Sequence, residues 1–353
     1  MGFPDNQSGR ISTSTPQDTP KEVDDMTAQA QTAPAFDGWD KDVSPFHQGE
    51  VALHERVGRA ERQDMVGRRI IRPYMIDQHR AFFASLPFVI GGSVDVQGAP
   101  WASALFGAPG LLSTPDDVSF AIDTPVLDGD PFAENAKPGA PVSFVGIELQ
   151  TRRRNRLSGI IRDGDGVVAD VVQSFGNCPQ YIHTRDMAFT RDPRVAVASD
   201  RHEFTELGDV ERAIISKADT FFVASHNPVD DPRSNGGVDV NHRGGNAGFV
   251  KIDGNTLTVP DFSGNFAFNT LGNFMVNPKA GLLFIDFASG DILQLTGTVE
   301  IIWDITPEIA AFEGAQRAWR FHLTKGHRLI GASPLGFVDG EASPRSLQTG
   351  HWQ

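Results

Sequence analysis

The chain has 353 residues, 39% of them hydrophobic and 22% charged, with a formal net charge of −14 at pH 7. That is enough apolar material for two domains of ordinary size, and a field of that sign opposes nonspecific binding to nucleic acid or to an anionic membrane surface. The single cysteine, Cys178, excludes an internal disulfide and any multi-cysteine metal site.

Residues 1 to about 45 are polar, Pro-punctuated and aperiodic, and read as a disordered leader with Met26 as an alternative start. No apolar h-region marks a signal peptide, and no apolar run approaches the roughly 20 residues of a membrane span. Cytoplasm is therefore the expected compartment. From residue 45 to about 86 apolar residues recur at helical spacing (Val51, Leu53, Val57, Met65, Ile70), with a break at Pro73. After Pro87 come six short apolar runs split by Gly, Pro and Asp, at 88–94, 102–106, 118–122, 142–149, 157–161 and 167–172. With the helical lead-in they predict a first small antiparallel barrel over 46–195. A second helical stretch with Val210, Ile214 and Ile215 opens a second barrel over 196–335. Its strands are expected at 220–225, 248–252, 256–259, 280–287, 293–302 and 319–323, and a C-terminal tail follows over 336–353.

The two halves match at one offset. Gly110 and Gly248, Asp123 and Asp261, Ile147 and Ile285, and Leu157-Ser158-Gly159 and Leu295-Thr296-Gly297 are each 138 residues apart (248 − 110 = 138). An unbroken offset through several strands argues for duplication. Five segments then carry a likeness to a known family: Thr-Arg-Arg-Arg-Asn-Arg-Leu-Ser-Gly (151–159), Gln-Ser-Phe-Gly-Asn-Cys-Pro-Gln-Tyr-Ile (173–182), Asp-Val-Asn-His-Arg-Gly-Gly-Asn-Ala-Gly-Phe-Val (239–250), Asp-Phe-Ser-Gly-Asn-Phe-Ala-Phe-Asn-Thr-Leu-Gly-Asn (261–273), and Asn-Pro-Lys-Ala-Gly-Leu-Leu-Phe with Gln-Leu-Thr-Gly (277–284 and 294–297). Over about residues 45–335 the chain resembles the split-barrel flavoproteins of the pyridoxamine 5'-phosphate oxidase-like superfamily, in particular its two-barrel members. The resemblance implies a mainly β fold with peripheral helices, two tandem split β-barrels forming an intrachain pseudo-dimer. It also implies bound FMN, redox chemistry on a small molecule with NAD(P)H as a candidate reductant, and a homodimer of the two-barrel chain as a candidate assembly.

Within this frame Asn241, His242, Arg243, Gly244 and Gly245 supply a cation beside two glycines, which let a backbone approach a ring or phosphate closely. The plain alternative is a Gly-rich hairpin with a solvated Arg. Ser263, Asn265 and Asn269 lead into a helix expected over 267–276, whose N-terminus could bind an anion or could simply be capped by these side chains. The family turn often carries Arg shortly after the Asn, whereas Phe266 and Ala267 stand here, so another cation must serve. Arg152, Arg153, Arg154 and Arg156 concentrate positive charge. On a strand Arg152, Arg154 and Arg156 would share one face, facing a flavin phosphate or else acids such as Asp163 and Asp165. Gln294 and Thr296 are expected ring contacts, with Arg154 and Arg156 beside the phosphate. Trp101, Gln173, Asn177 and Tyr181 are expected on the substrate face. Cys178 has no base fixed beside it in sequence and reads as a buried free thiol. No metal-ligand spacing, GxGxxG or P-loop pattern occurs.

FMN is thus the expected cofactor, with another flavin, a deazaflavin or heme (His242 as ligand) open, and a non-catalytic carrier or sensor as the alternative to an oxidoreductase. At the common offset Arg243, Gly244, Asn241 and Asn265 correspond to Leu105, Phe106, Ser103 and Leu127, and Arg156 to Gln294. The second-half site keeps its polar groups and the first-half site loses them, so one FMN per chain is expected.

Overall fold

The computed structural model describes residues 38–352 apart from 165, 196 and 229–234, all within one compact unit, Phe36–Gln353. The expected leader up to residue 37, and Asp165, lie outside the described residues. Residues 38–45 do not continue that leader, because Trp39 is buried with Phe46, Ile71 and Phe175.

Three helices open the chain: α1 (Gln48–Arg56), α2 (Ala60–Ile70) and α3 (Asp77–Ala84). The first half then runs β1 (Phe88–Val94), β2 (Pro100–Phe106), β3 (Leu112–Ser113), β4 (Ser119–Ile122), α4 (Phe132–Asn135), β5 (Pro141–Glu148), β6 (Arg153–Ile161) and β7 (Val167–Asn177). Two connecting strands, β8 (Arg185–Phe189) and β9 (Asp200–Phe204), lead to the second half. That half comprises α5 (Asp209–Lys217), β10 (Thr220–Asn227), β11 (Gly237–Gly244), β12 (Lys251–Asp253), β13 (Thr256–Phe262), α6 (Asn269–Val276), β14 (Lys279–Ile285), β15 (Ile292–Ile302), α7 (Pro307–Ala310) and β16 (Ala315–Ile330). Finally β17 (Leu335–Asp339) pairs with β8. The tail after it is folded in: Trp352 packs on Phe312 and donates to the Phe249 carbonyl at 2.8 Å.

The fold is mainly β, and the sheets repeat. The first is ordered β2-β1-β5-β6-β7-β4-β3 and the second β11-β10-β14-β15-β16-β13-β12, the same path strand for strand. Even the irregularities recur, with register shifts at Ser158/Gly159 and at Thr296/Gly297. A β-carbon on Gly159 would collide with the Asp170 carbonyl, and one on Gly297 with that of His322, so both bulges require glycine.

Pairing registers refine the repeat. Ser103 pairs with Gly91 as Asn241 pairs with Val223, and Val145 pairs with Arg156 as Leu283 pairs with Gln294, so β2, β5 and β6 keep the offset of 138. Across β1 the equivalent of Ile90 is Phe222, 132 residues on, and across β7 that of Phe175 is His327, 152 on. Asp261 is therefore not the counterpart of Asp123: register through β4 and β13 aligns Ile122 with Val259, one residue out of step. Among the described residues each sheet path has seven strands, not six, and β9 adds an eighth to the second sheet by pairing with β16. In the second half the strand missing from the expected set is β11, where His242 and Arg243 were expected in a loop after a strand. Its polar residues hid the alternation, but Val238 and Val240 are buried while Asp239, Asn241 and Arg243 are only partly so.

Three apolar cores result. One fills the first barrel (Val89, Leu105, Phe120, Phe144, Leu157) and one the second (Phe221, Leu257, Leu282, Leu295, Trp319). The third lies between the halves and joins Ile90, Ala102 and Val145 to their counterparts Phe222, Val240 and Leu283. Strand β11 packs on β5 as β2 packs on β14, a two-fold exchange of equivalent strands within one chain. Burying all three faces together leaves neither sheet with a free apolar side.

Candidate functional site

Strand β11, the β13–α6 turn and the segment after β7 converge on a cleft of about 910 Å³, counting its open mouth. Asn241, His242, Arg243 and Gly244 line it from β11, Asn265 and Asn269 from the turn and α6, and Arg154, Asn177, Cys178, Gln180 and Tyr181 from the first half. Most of the site residues picked out in the sequence thus meet in one place, although they come from both halves.

Its electrostatics are unbalanced. Arg243 and Arg317 both flank Asp261, at 3.4 and 3.5 Å. Arg154 stands nearby with only neutral partners, donating to the Cys178 carbonyl and to Asn177 Oδ1 at 3.3 Å. Two guanidiniums thus share one carboxylate, and the third has no carboxylate at ion-pair distance among the described residues. Burial, with the Arg156 and Arg243 charges behind it, pulls Arg154 down to about 9. Burial likewise lowers Arg243 and raises Asp261, and it holds His242 well below its ordinary value. Arg154 Nε, Arg243 Nε and His242 Nε2 are buried without a hydrogen-bond partner. Buried donors left without an acceptor are costly. An anion in the cleft would satisfy donors and charge together.

The cleft is also lined by aromatic rings. Tyr181 stacks on Phe262 with ring centres 5.3 Å apart and donates its hydroxyl to the Ser263 carbonyl at 3.0 Å. Phe249, Phe266 and Phe268 also line the cleft. Tyr181, Phe266 and Phe268 hold left-handed backbone, φ 64°, 60° and 60°. Such strain at bulky residues persists only where the surroundings enforce it, and it clusters at functional sites. Here α1 supplies part of that enforcement. His54 Nε2 contacts the Phe266 carbonyl at 2.9 Å, and Glu50 accepts from Asn269 at 2.7 Å. Burial beside Asp239 raises the Glu50 carboxyl well above its usual range.

Several expectations are corrected. Arg156 is 1% exposed and lies behind the cleft, ion-paired with Asp239 and donating to Asn241 and Asn269 at 2.8 Å each. It therefore orients two lining asparagines, its charge already spent on Asp239. Arg152 does not share its face, because it sits in the turn before β6 with φ 63°. Gln294 is buried between the halves, donating to Ala102, Ser103 and Asp130. Thr296 bonds the Ala280 carbonyl. Neither lines the cleft. Gly245 donates to Asp219 and abuts the Phe249 ring, and Gly244 makes room for the Tyr181 carbonyl. Ser263 faces a side cavity rather than the cleft. Trp101 is buried against His327, and Gln173 donates to the Pro45 carbonyl, so neither reaches the expected substrate face. Neither Ser263 nor Asn265 caps α6, which begins at Asn269 after the left-handed Phe268. Cys178 is half-buried at the cleft wall instead of fully buried. Glu50, His54, Asp239 and Asp261 were not foreseen. Their partners at the site are 18 (261 − 243) to 219 residues away in sequence, and the paired glycines Gly49 and Gly272, where α1 crosses α6, are the one sequence signal of that contact.

No family model matches the chain, and no curated protein matches it. Solved structures do. The chain is similar to pyridoxamine 5'-phosphate oxidase-like split-barrel proteins. Among them are HupZ of Group A Streptococcus (14% identity, 39% of this chain and 98% of that one, TM-score 0.26) and a Clostridium acetobutylicum protein related to general stress protein 26 of B. subtilis, of the pyridoxinephosphate oxidase family (16%, 37% and 92%, 0.26). A third is an FAD-binding protein of Mesorhizobium loti (10%, 36% and 96%, 0.25). Each spans little more than a third of this chain but nearly all of its own. Among the described residues no helix is long and apolar enough to cross a membrane.

Proposed function

We propose that the chain binds one FMN in this cleft and uses it to oxidise or reduce a small molecule, with NAD(P)H as the candidate reductant. The observation that carries the reading is the set of unpartnered buried nitrogens on Arg154, Arg243 and His242, beside an excess of buried positive charge and in a cleft also lined by aromatic rings. A phosphate suits the first feature and a planar ring the second. When bound, the flavin supplies the electron-carrying chemistry.

The chain's own residues bind and orient. Arg154 and Arg243 would face the phosphate, and Asn241 and Asn269, held by Arg156, would present amides to the ligand. Burial raises the Tyr181 phenol, so it stays a protonated donor at neutral pH. The counterpart positions Leu105 and Phe106 are buried in apolar cores, which supports one site per chain.

Titration of the protein with FMN, followed by absorbance and by mass identification of released cofactor, tests this. One equivalent with flavin bands is expected. Two equivalents, none, or a Soret band from heme on His242 would overturn it. Anaerobic bleaching by NADH or NADPH separates an oxidoreductase from a carrier.

A further inference from the structure

Beside the cleft lies a side pocket of about 470 Å³, counting its open mouth, where the exposed Glu313 and Arg345 meet Tyr181 and Ser263. It shares Gln180, Tyr181 and Gly264 with the cleft. A β-carbon on Gly264, a residue that lines both spaces, would meet nothing within 4 Å.

The far wall comes from the C-terminal segment, whose backbone is held in place. Ser343, Ser346 and Thr349 are buried, the Leu347 and Thr349 amides donate to Ser343 and Ser346 at 3.1 and 3.0 Å, and Trp352 is tied to Phe249. From this anchored turn Arg345 faces the cavity with no carboxylate at ion-pair distance among the described residues. Its charge reaches Tyr181, where it opposes the upward push of burial on the phenol. The cavity's other charged group is Glu313. One guanidinium suits a monoanion, and Glu313 would repel a phosphate dianion while accepting a hydrogen bond from a hydroxyl or amine.

We propose that the side cavity seats the substrate, a small carboxylate that also carries a hydroxyl or amino group, with Arg345 pairing the carboxylate and Glu313 taking the donor. The assignment rests on reading the adjoining cleft as the cofactor site, and it makes Arg345 a specificity residue outside the cofactor-binding set.

Lactate, a small hydroxy acid that carries both groups, is the probe. Saturation-transfer NMR on the full chain should show saturable lactate binding that Arg345→Gln weakens at least tenfold and Arg345→Lys largely keeps. Equimolar inorganic phosphate should not displace it, and FMN affinity of Arg345→Gln should stay within twofold of the parent. Absence of lactate binding, indifference to Arg345→Gln, or displacement by phosphate would overturn the proposal. Arg345-dependent lactate binding in a chain that takes up no FMN would keep the cavity assignment and remove the cofactor reading alone.

Discussion

The two halves share one strand path, yet the same position carries opposite chemistry in each. Arg243 on β11 faces a cleft, while its counterpart Leu105 on β2 is buried in the first barrel's core. Asn241 accepts from Arg156, while its counterpart Ser103 donates to Asp130 at 2.6 Å and accepts from Gln294. Asn177 lines the cleft, while Leu329, its equivalent across β7 and β16, is core. A duplicated framework thus fixes where a site can form, and a few substitutions decide whether that place stays open and charged or is filled. In the filled place the polar groups that remain satisfy one another, as Gln294, Asp130, Ser103 and His327 do.

The largest contrast is expected for the equivalent pair Arg156 and Gln294. Arg156→Met strands Asp239 without its cation and should cost about 3 to 5 kcal/mol of stability. Gln294→Met breaks no ion pair, losing hydrogen bonds to Ala102, Ser103 and the Asp130 carboxyl, and should cost about 1 to 3 kcal/mol. Urea unfolding midpoints decide it, and equal losses would erase the distinction between a charged and a neutral core.

Next comes Arg243→Ala, expected to weaken FMN binding by about 2 to 4 kcal/mol if the guanidinium grips the phosphate. Leu105→Ala should leave FMN affinity within twofold and act on stability instead, by about 2 to 5 kcal/mol. A Leu105 variant that loses FMN would mean that the first half carries a working site.

Titration separates the two places further. Burial raises Asp130 to about 6 from an ordinary 3.8, so the folded chain keeps a proton there that the unfolded chain releases. Stability from this group therefore falls as pH rises from about 4 to 6. Burial lowers His327 to about 3 from 6.5, so its contribution is instead lost as pH drops from about 6.5 toward 3, and the two oppose each other. Asp130→Asn removes the first effect alone. Relative to the parent, the variant should gain up to about 3 kcal/mol between pH 4 and pH 7. A difference that stays flat with pH would show that Asp130 does not titrate there.

The smallest effect is expected at Cys178. No base is fixed on its thiol, so Cys178→Ser should leave FMN content and turnover within a few-fold. A thousandfold loss of turnover with FMN retained would make it a nucleophile.

The sequence made β2, β5 and β6 legible because those strands repeat without insertion. The strands expected at 220–225 and 319–323 fall within β10 and β16, the copies of β1 and β7, but the single offset does not reach them, since the connections differ in length and only pairing registers reveal it. Local motif reading reached Asn241, Arg243, Asn177 and Tyr181, which line the cleft. It failed at Trp101 and Gln173, expected on the substrate face, because distant partners engage them: His327 lies against the indole and the Pro45 carbonyl accepts from the amide. It failed too at Arg156, whose partner Asp239 is on the other half and so carries no local signature. Charge density in a sequence marks where cations are, while which of them remain unpaired is decided only by the docking of distant strands.

The crossing of α1 on α6 has a consequence for how the chain is made. Leu53 belongs to the second barrel's core, beside Leu271 and Phe274, although the first barrel lies between them in sequence. The helix synthesised first must wait for a partner 218 residues later (271 − 53). At ribosomal speeds that is roughly 10 to 40 s. During that interval α1 has only α2 and the small cluster of Trp39, Ile71 and Phe175 to pack on and lacks its partners in the second barrel, so ribosome-bound chains ending near residue 195 should be cleaved by protease at α1 faster than released full-length chains.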